Sequence, residues 1–124
     1  MARFVGRIDR EMFRGVPVNI ITDEVIITDE RIQHIRDRHP GDFERYERYL
    51  REIVETPDYI AEANKPDSAV LLKEFVEDGF QAILRLHTSI DDPSFKNSII
   101  TFMRVHEREW KRLVSNKKIL YKRE

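Results

Sequence analysis

Apolar residues recur at helical spacing most clearly in the stretch that follows position 41. Four of them lie at i, i+3, i+7 and i+10: Phe43, Tyr46, Leu50 and Ile53. Charged residues fill the opposite side, so the pattern predicts an amphipathic helix. Asp42 suits the N-cap of this helix, and Pro57 marks its end.

A shorter helix is predicted between Thr28 and Pro40. Thr28 suits the N-cap, and Pro40 ends the helix because the residue before a proline is pushed out of the α region. One side of this helix carries three polar residues at i, i+3 and i+7: Arg31, His34 and Arg38. His39 follows His34 by about 140° on an ideal helix, so the two side chains can meet only if His39 has left the helix.

After Pro57 the period changes to that of β-strands. The predicted strands cover residues 59–63, 69–76, 80–88 and 98–105. Their connections are short and rich in Asn, Asp, Gly and Pro, which favours an antiparallel meander. In the third strand one side begins with Phe80 and is apolar, whereas the other side carries Arg85 and His87.

The predicted architecture is α+β. N-terminal helices pack on one face of a roughly four-stranded antiparallel sheet, followed by a C-terminal helix over residues 107–116 and a short last strand over 119–122. Residues 1–15 are a lead-in segment, and residues 16–124 form a single domain. The helices are expected to cover one face of the sheet and to leave the other face as the floor of a cleft.

Charge and composition narrow the class of protein. The chain has 22 basic and 23 acidic residues, so any anionic partner must be held by a local patch and not by net charge. The absence of cysteine excludes disulfides and thiolate metal sites. No apolar run approaches the roughly 20 residues needed to span a bilayer, and arginines interrupt any signal-peptide core. We therefore expect a cytoplasmic protein without a membrane partner.

The histidines of the first predicted helix are the first candidates for chemistry. Histidine as a residue type suits general acid–base catalysis, so His34 and His39 are candidates for this role on a ribose hydroxyl or a leaving oxygen. The alternative is that one histidine caps or packs and the other lies on the surface. A helical metal site would need a second ligand at position 38, which is an arginine. No metal or other cofactor is therefore expected.

Two cations, Lys73 and Arg85, interrupt apolar strands. Either cation could hold a phosphate and stabilise the charge that develops at phosphorus. Alternatively, each belongs to the alternation of a half-exposed sheet and pairs with Glu74 or Glu62. His87 lies on the same side of its strand as Arg85 and has the same two interpretations.

Three other polar positions allow both a structural and a functional interpretation. Asn97 and Ser98 could hydrogen-bond a phosphate or a base edge, but such residues also cap turns. Tyr121 could be a core residue with a solvated hydroxyl.

The arginines of the second helix are interpreted as a solvated helix face, and its aromatic residues as core. These arginines are Arg45, Arg48 and Arg51.

Several short motifs resemble one family. The most specific are His-Ile-x-x-Arg-His-Pro at 34–40 and Asn-Ser-Ile-Ile at 97–100. Shorter matches lie at 27–28, 57–60, 72–73, 84–86 and 120–122. From about residue 16 to the C-terminus, the chain resembles the phage-associated nucleases of the barnase–EndoU–colicin–RelE superfamily, often abbreviated PBECR.

This resemblance implies a barnase- or RelE-like fold and metal-independent RNA cleavage, in which the 2′-hydroxyl attacks phosphorus and leaves a 2′,3′-cyclic phosphate. It implies RNA as substrate and an immunity or antitoxin protein as a further partner. The implied catalytic residues are His34, His39, Lys73 and Arg85. The implied substrate-binding residues are Arg38, His87, Asn97, Ser98, Thr101 and Tyr121. The alternative is an inactive RNA-binding or toxin-like interaction module of the same fold.

Overall fold

A computed structural model describes residues 2–65, 67–75, 79–86 and 96–123, without the side chains of residues 81 and 83–85. These residues contain three helices and seven strands. In chain order they are β1 (Ala2–Arg7), β2 (Glu24–Thr28), α1 (Asp29–Arg38), α2 (Asp42–Glu55), β3 (Tyr59–Glu62), β4 (Ser68–Glu74), β5 (Gly79–Arg85), β6 (Asn97–Val105), α3 (Glu107–Asn116) and β7 (Ile119–Lys122).

The first two helices follow the predicted spans. Thr28 caps α1, and its hydroxyl accepts a hydrogen bond from the backbone N–H of Arg31 at 3.2 Å. The predicted cap of α2 is wrong by one residue, because Asp42 is the first helical residue and Gly41 is the N-cap. Gly41 has φ +84°, a left-handed conformation that glycine adopts without a Cβ clash.

All seven strands belong to one sheet, in the order β1-β2-β6-β5-β4-β3-β7. The strands β3 to β6 form the predicted antiparallel meander. The count of roughly four strands is wrong because β1 and β2 extend the sheet beyond β6, and β7 pairs with β3. The pair β2–β6 is parallel, so the sheet is mixed. These additions cover the edges of the meander, which would otherwise expose unpaired backbone groups.

The first face of the sheet lies under α1, α2 and the segment 8–18. Phe80 and Ala82 of β5 and Leu86, which directly follows this strand, are buried in this core, as the strand alternation predicted. The largest buried side chains of this core come from both helices, from five strands and from residue 86, which directly follows β5: Ile32, Ile35, Ile53, Ile60, Leu71, Phe80, Phe102, Leu86, Ile99 and Val25.

The second face of the sheet packs against α3. Leu113 of α3 is buried with Val70 and Leu72 of β4 in a separate, smaller core. The prediction that helices cover only one face is therefore wrong. Residues 69–72 of β4 form a continuous apolar run, which is typical of a strand buried on both faces, and the apolar side of α3 covers the second one.

The sheet curls around the C-terminal end of α2. The Glu55 carboxylate accepts a hydrogen bond from the backbone N–H of Arg7 in β1 at 3.1 Å. The neighbouring Thr56 carbonyl accepts one from Lys73 Nζ in β4 at 2.6 Å. Since β2, β6 and β5 separate β1 from β4 in the sheet, contact of both strands with adjacent helix residues requires strong curvature.

Candidate active site

The histidine at the centre of α1 lies at the protein surface. His34 is half-buried and lines a shallow concavity of about 400 Å³. All other lining residues also belong to α1: Glu30, Arg31, Gln33 and Asp37. Among the residues that the structure describes, those lining this concavity all belong to α1.

Arg31 and Arg38 flank His34 on α1, one turn before it and one turn after it. Residues at this spacing have Cβ atoms about 5–6 Å apart. Both arginines are exposed, and within the described part of the chain neither guanidinium has a carboxylate partner. In contrast, Arg36 on the same helix donates to Glu44 at 2.5 Å. We call Arg31, His34 and Arg38 the α1 stripe.

His39 lies where the chain leaves α1. It is the C-cap, with φ −136° and ψ 72°, and its backbone N–H donates to the Ile35 carbonyl at 2.8 Å. The side chain is half-buried. His39 has therefore left the helix. The sequence analysis predicted that the imidazoles of His34 and His39 could come together only in that case.

Lys73 lies in the interior, apart from the α1 stripe. Its side chain is 8% exposed, and its ammonium donates to the Thr56 carbonyl at 2.6 Å and lies 3.8 Å from Asp58 Oδ1. Asp58 Oδ2 also accepts a hydrogen bond from the backbone N–H of Glu74 at 2.8 Å. These bonds fix the end of α2 to the end of β4.

Asn97 and Tyr121 also have structural contacts. Asn97 is fully buried, and its carboxamide nitrogen donates to the Thr22 carbonyl at 2.7 Å and to the Glu24 carbonyl at 3.0 Å. It thereby fixes the start of β6 to the chain that enters β2. Tyr121 is half-buried, pairs with Ile60 across β7 and β3, and packs against the core of the first face.

Ser98 and Thr101 lie on the second face of the sheet. Ile99 and Phe102 are buried in the core of the first face, with a register shift of β6 between them. Ser98 is next to Ile99 and Thr101 is next to Phe102, so both side chains belong to the opposite side. The backbone of Arg85 pairs with Ser98 on one side and with Ser68 on the other. The side chain of Arg85 and the whole of His87 lie outside the described residues.

A groove of about 390 Å³ opens on the second face, between the sheet and α3. Its floor is apolar and includes Val70, Ile100 and Leu113. Its polar lining consists of Asn64, Lys65, Ser68, Glu109 and Lys117. These residues come from the β3–β4 connection, the start of β4, α3 and its C-cap, and no periodic pattern in the sequence joins such distant segments.

Glu109 is the carboxylate of this groove. Two of the three nitrogens of the Arg112 guanidinium donate to it, Nε at 3.0 Å and Nη2 at 2.5 Å. These hydrogen bonds hold the pKa of Glu109 below its usual value, so the group is ionised at neutral pH. The groove therefore combines an anion with two lysines above an apolar floor.

Apart from Lys73, Asn97 and Tyr121, the described candidates lie on opposite sides of the sheet. His34 and Arg38 belong to α1, which packs on the first face, and His39 is its C-cap, whereas Ser98 and Thr101 lie on the second face. Within the described ranges, no three histidine, aspartate or glutamate side chains are placed so that they could bind a metal ion together. No helix in these ranges has the length and apolar character needed to cross a bilayer.

Comparisons with known proteins place these features in a family. Neither the curated proteins nor the solved structures gave a match. A family model described as phage-Barnase-EndoU-ColicinE5/D-RelE like nuclease 2 matches residues 4–122. The match spans nearly the whole chain and confirms the resemblance drawn from the motifs. The chain therefore belongs to the phage-Barnase-EndoU-ColicinE5/D-RelE like nuclease 2 family.

Proposed function

We propose that this protein is an endoribonuclease. In the proposed reaction, the ribose 2′-hydroxyl attacks the adjacent phosphorus, the 5′-oxygen leaves, and a 2′,3′-cyclic phosphate remains, without a bound metal. Family membership supports a nuclease at the level of the class. The observation that carries the finer proposal is the α1 stripe, in which a histidine lies between two guanidiniums that have no carboxylate partner in the described ranges.

The α1 stripe and His39 together supply the groups that this reaction needs. Arg31 and Arg38 would hold the non-bridging oxygens and stabilise the negative charge that grows on them. The proton leaves the 2′-hydroxyl for a base, and an acid donates a proton to the 5′-oxygen as the P–O bond breaks. His34 and His39 would supply these two functions, one imidazole neutral and the other protonated before the reaction.

Both imidazoles are accessible for this chemistry. Each is half-buried, and neither ring makes a hydrogen bond to another residue in the described part of the chain. A general acid or base must come within hydrogen-bond reach of the proton that it transfers. Rings without protein partners can reach the substrate with no loss of an existing bond.

The groove on the second face supports a second candidate, an inactive RNA-binding module of the same fold. Its lysines, Lys65 and Lys117, lie beside the hydroxyl of Ser68 in the same cavity. The sheet separates this groove from the histidines, so RNA could bind there without contact with a general base. Binding without cleavage would then be the function.

The test is RNA cleavage in EDTA by the full chain, with analysis of the product ends. We expect cyclic phosphate ends from the wild type, and a loss of about 10²- to 10⁴-fold in rate for His34→Ala and His39→Ala. Arg38→Ala should also slow cleavage. His106→Ala and Arg108→Ala are the matched controls, because both residues are exposed on or next to α3, and His106 makes no side-chain cap bond.

Each alternative has its own signature in this experiment. Cleavage that survives both histidine substitutions would overturn the α1 site. Loss of cleavage in Ser98→Ala or Lys117→Ala, with His34→Ala unaffected, would assign the reaction to the second face. Salt-dependent RNA binding without any cleavage by the wild type would support the inactive module.

A further inference from the structure

The exposed side of α2 carries a stack of aromatic rings topped by an arginine. The rings of Tyr49 and Phe75 stack with centroids 4.2 Å apart and an interplanar angle of 27°. The guanidinium carbon of Arg48 lies 4.7 Å from the centre of the Tyr49 ring. Both rings are half-buried and Arg48 is exposed, so the stack reaches the solvent. From the sequence, the aromatic residues of α2, among them Tyr49, were expected in the core and Arg48 on a solvated helix face.

Arg48 is held in place by its surroundings. Its Nη1 donates to the backbone carbonyl of Arg45 at 2.7 Å, and its Nη2 donates to the Tyr49 hydroxyl at 3.2 Å. A guanidinium has five N–H donors, so these bonds leave others for a ligand. Because the side chain is already ordered, binding through it loses little conformational entropy.

Two other arginines in the described part of the chain contact Tyr46, whose ring stacks with that of Tyr49. Arg45 lies 5.9 Å from the Tyr46 ring, and Arg104 donates to the Tyr46 hydroxyl at 3.3 Å. Neither Arg45 nor Arg48 has a carboxylate partner there, and Glu52, one turn after Arg48, makes no ion pair with it. Arg51 differs, because Glu55 accepts its Nε hydrogen bond at 3.1 Å.

We propose that this surface, the α2 aromatic patch of Arg45, Arg48, Tyr49 and Phe75, binds a single-stranded segment of RNA. The identification of the ligand as RNA rests on the proposed function. The arginines contact phosphates, and unpaired bases stack on the guanidinium plane and on the exposed parts of the rings. An acidic protein would use the charges alone and would not need the ordered planar stack.

The geometry favours single strands over duplexes. Bases in a duplex are stacked on each other and have no exposed faces, whereas unpaired bases can stack on aromatic or guanidinium planes. Such stacking is tolerant of sequence because every base has a π-face. The patch therefore contributes affinity and a preference for unpaired RNA, without a preference for particular bases.

The test measures binding of a fluorescent single-stranded 2′-O-methyl RNA, which has no free 2′-hydroxyl and cannot be cleaved. Arg48→Ala should weaken binding by about five- to twentyfold and lower the slope of log K against log salt by about 0.7. Arg51→Ala removes the same charge from the same helix and should change affinity less than about twofold, because Arg51 already pairs with Glu55.

Further variants separate stacking from charge. Arg48→Lys should keep the salt slope but lose part of the affinity, because an ammonium has no planar face. Phe75→Leu keeps an apolar side chain of similar size and should weaken single-stranded binding without a change in salt slope. Circular dichroism establishes that each variant is folded before its affinity is compared.

Three results would overturn the proposal: equal losses in Arg48→Ala and Arg51→Ala, equal losses for single-stranded and duplex RNA, or displacement of the RNA by polyglutamate at equal charge concentration. The last would indicate an acidic protein partner. Because the probe cannot be cleaved, the binding result is independent of activity. A protein that does not cleave RNA can still bind the probe through the patch, and failure of the patch leaves the cleavage result unchanged.

Discussion

The end of β4 and the outer side of α1 both place cations beside apolar residues, yet they use them in opposite ways. At the end of β4, Lys73 is buried and its ammonium is bound to the Thr56 carbonyl. On α1, Arg31 and Arg38 are exposed and have no carboxylate partner among the described residues. A cation in an apolar segment can therefore donate a hydrogen bond to a backbone carbonyl as readily as it can bind a ligand.

The reason lies in the backbone. The last carbonyls of a helix have no partner within the helix, and α2 ends against the sheet, where water has limited access. A buried lysine supplies the missing donor there. The carbonyl groups on the exposed side of α1 need no such donor, so its arginines remain available for an anionic ligand.

Lys73→Met should produce the largest change in stability. It leaves the Thr56 carbonyl without its donor and the Asp58 carboxylate without the nearby ammonium, and we expect a loss of about 3 kcal/mol in the free energy of unfolding. Chemical denaturation measures this loss. Lys111→Met is the control, because it removes an exposed ion pair with Glu107 and should cost less than about 0.5 kcal/mol.

The same variant distinguishes the two roles of Lys73. A stable Lys73→Met protein with slow RNA cleavage would show that the lysine acts on the substrate, as the family resemblance implies. An unstable protein that cleaves RNA at the wild-type rate per folded molecule would show that the lysine stabilises the end of α2. The structural role assigned to Lys73, in contrast to the arginines of α1, requires the second result.

Asn97, like Lys73, is a buried polar side chain that donates hydrogen bonds to backbone carbonyls. Asn97→Ala removes two hydrogen bonds to buried carbonyls and should cost about 2 kcal/mol. Asn97→Asp has nearly the same shape but places carboxylate oxygens against the carbonyls of Thr22 and Glu24, so it should cost more than alanine. Equal stability of the two variants would show that the donor bonds contribute little.

On the α1 side of this comparison, Thr28 stabilises the start of the helix as its N-cap. Thr28→Ala removes the hydroxyl that accepts the N–H of Arg31 and should cost about 1 kcal/mol. Thr28→Ser keeps the acceptor and should remain close to the wild type. Thermal denaturation compares the two. A similar loss in both variants would assign the effect to the methyl group of Thr28 and not to the cap.

The helices and the central strands could be predicted from the sequence because they depend on local patterns. The period of α2, the cap at Thr28 and the turn residues between strands are visible within a few positions of one another. The side of the sheet on which α3 packs depends on a relation between distant segments. The only signal was the run 69–72, apolar at consecutive positions, which indicates a strand buried on both faces.

The candidate site shows the same limit. Helical spacing grouped Arg31, His34 and Arg38 correctly on one side of α1. It could not show whether Lys73 faces a cavity or a carbonyl, because that depends on where α2 ends relative to β4. Nor could it identify the second-face groove, whose polar residues Lys65 and Lys117 lie in separate segments. The sequence period identifies residues that lie on the same side of one helix or strand. It does not identify which helices and strands pack on the same face of the sheet.

An exposed ion pair should have the smallest effect, and it should depend on pH. The Glu24 carboxylate accepts a hydrogen bond from Lys96 Nζ at 2.5 Å, and this bond lowers the pKa of Glu24. A group with a lowered pKa in the folded state stabilises the fold above the pKa of the unfolded chain, about 4.3. This contribution is lost as the pH falls through the lower pKa of the folded protein.

Glu24→Gln should therefore lower the melting temperature slightly at pH 7 and have less effect at pH 3, where the wild-type carboxylate is also becoming neutral. Glu62→Gln is the control, because Glu62 is exposed on β3 and has no ion pair in the described ranges. High salt should reduce the Glu24 effect at pH 7. An effect of equal size at both pH values would mean that the amide NH2 group introduced at residue 24, and not the loss of its charge, changes the stability.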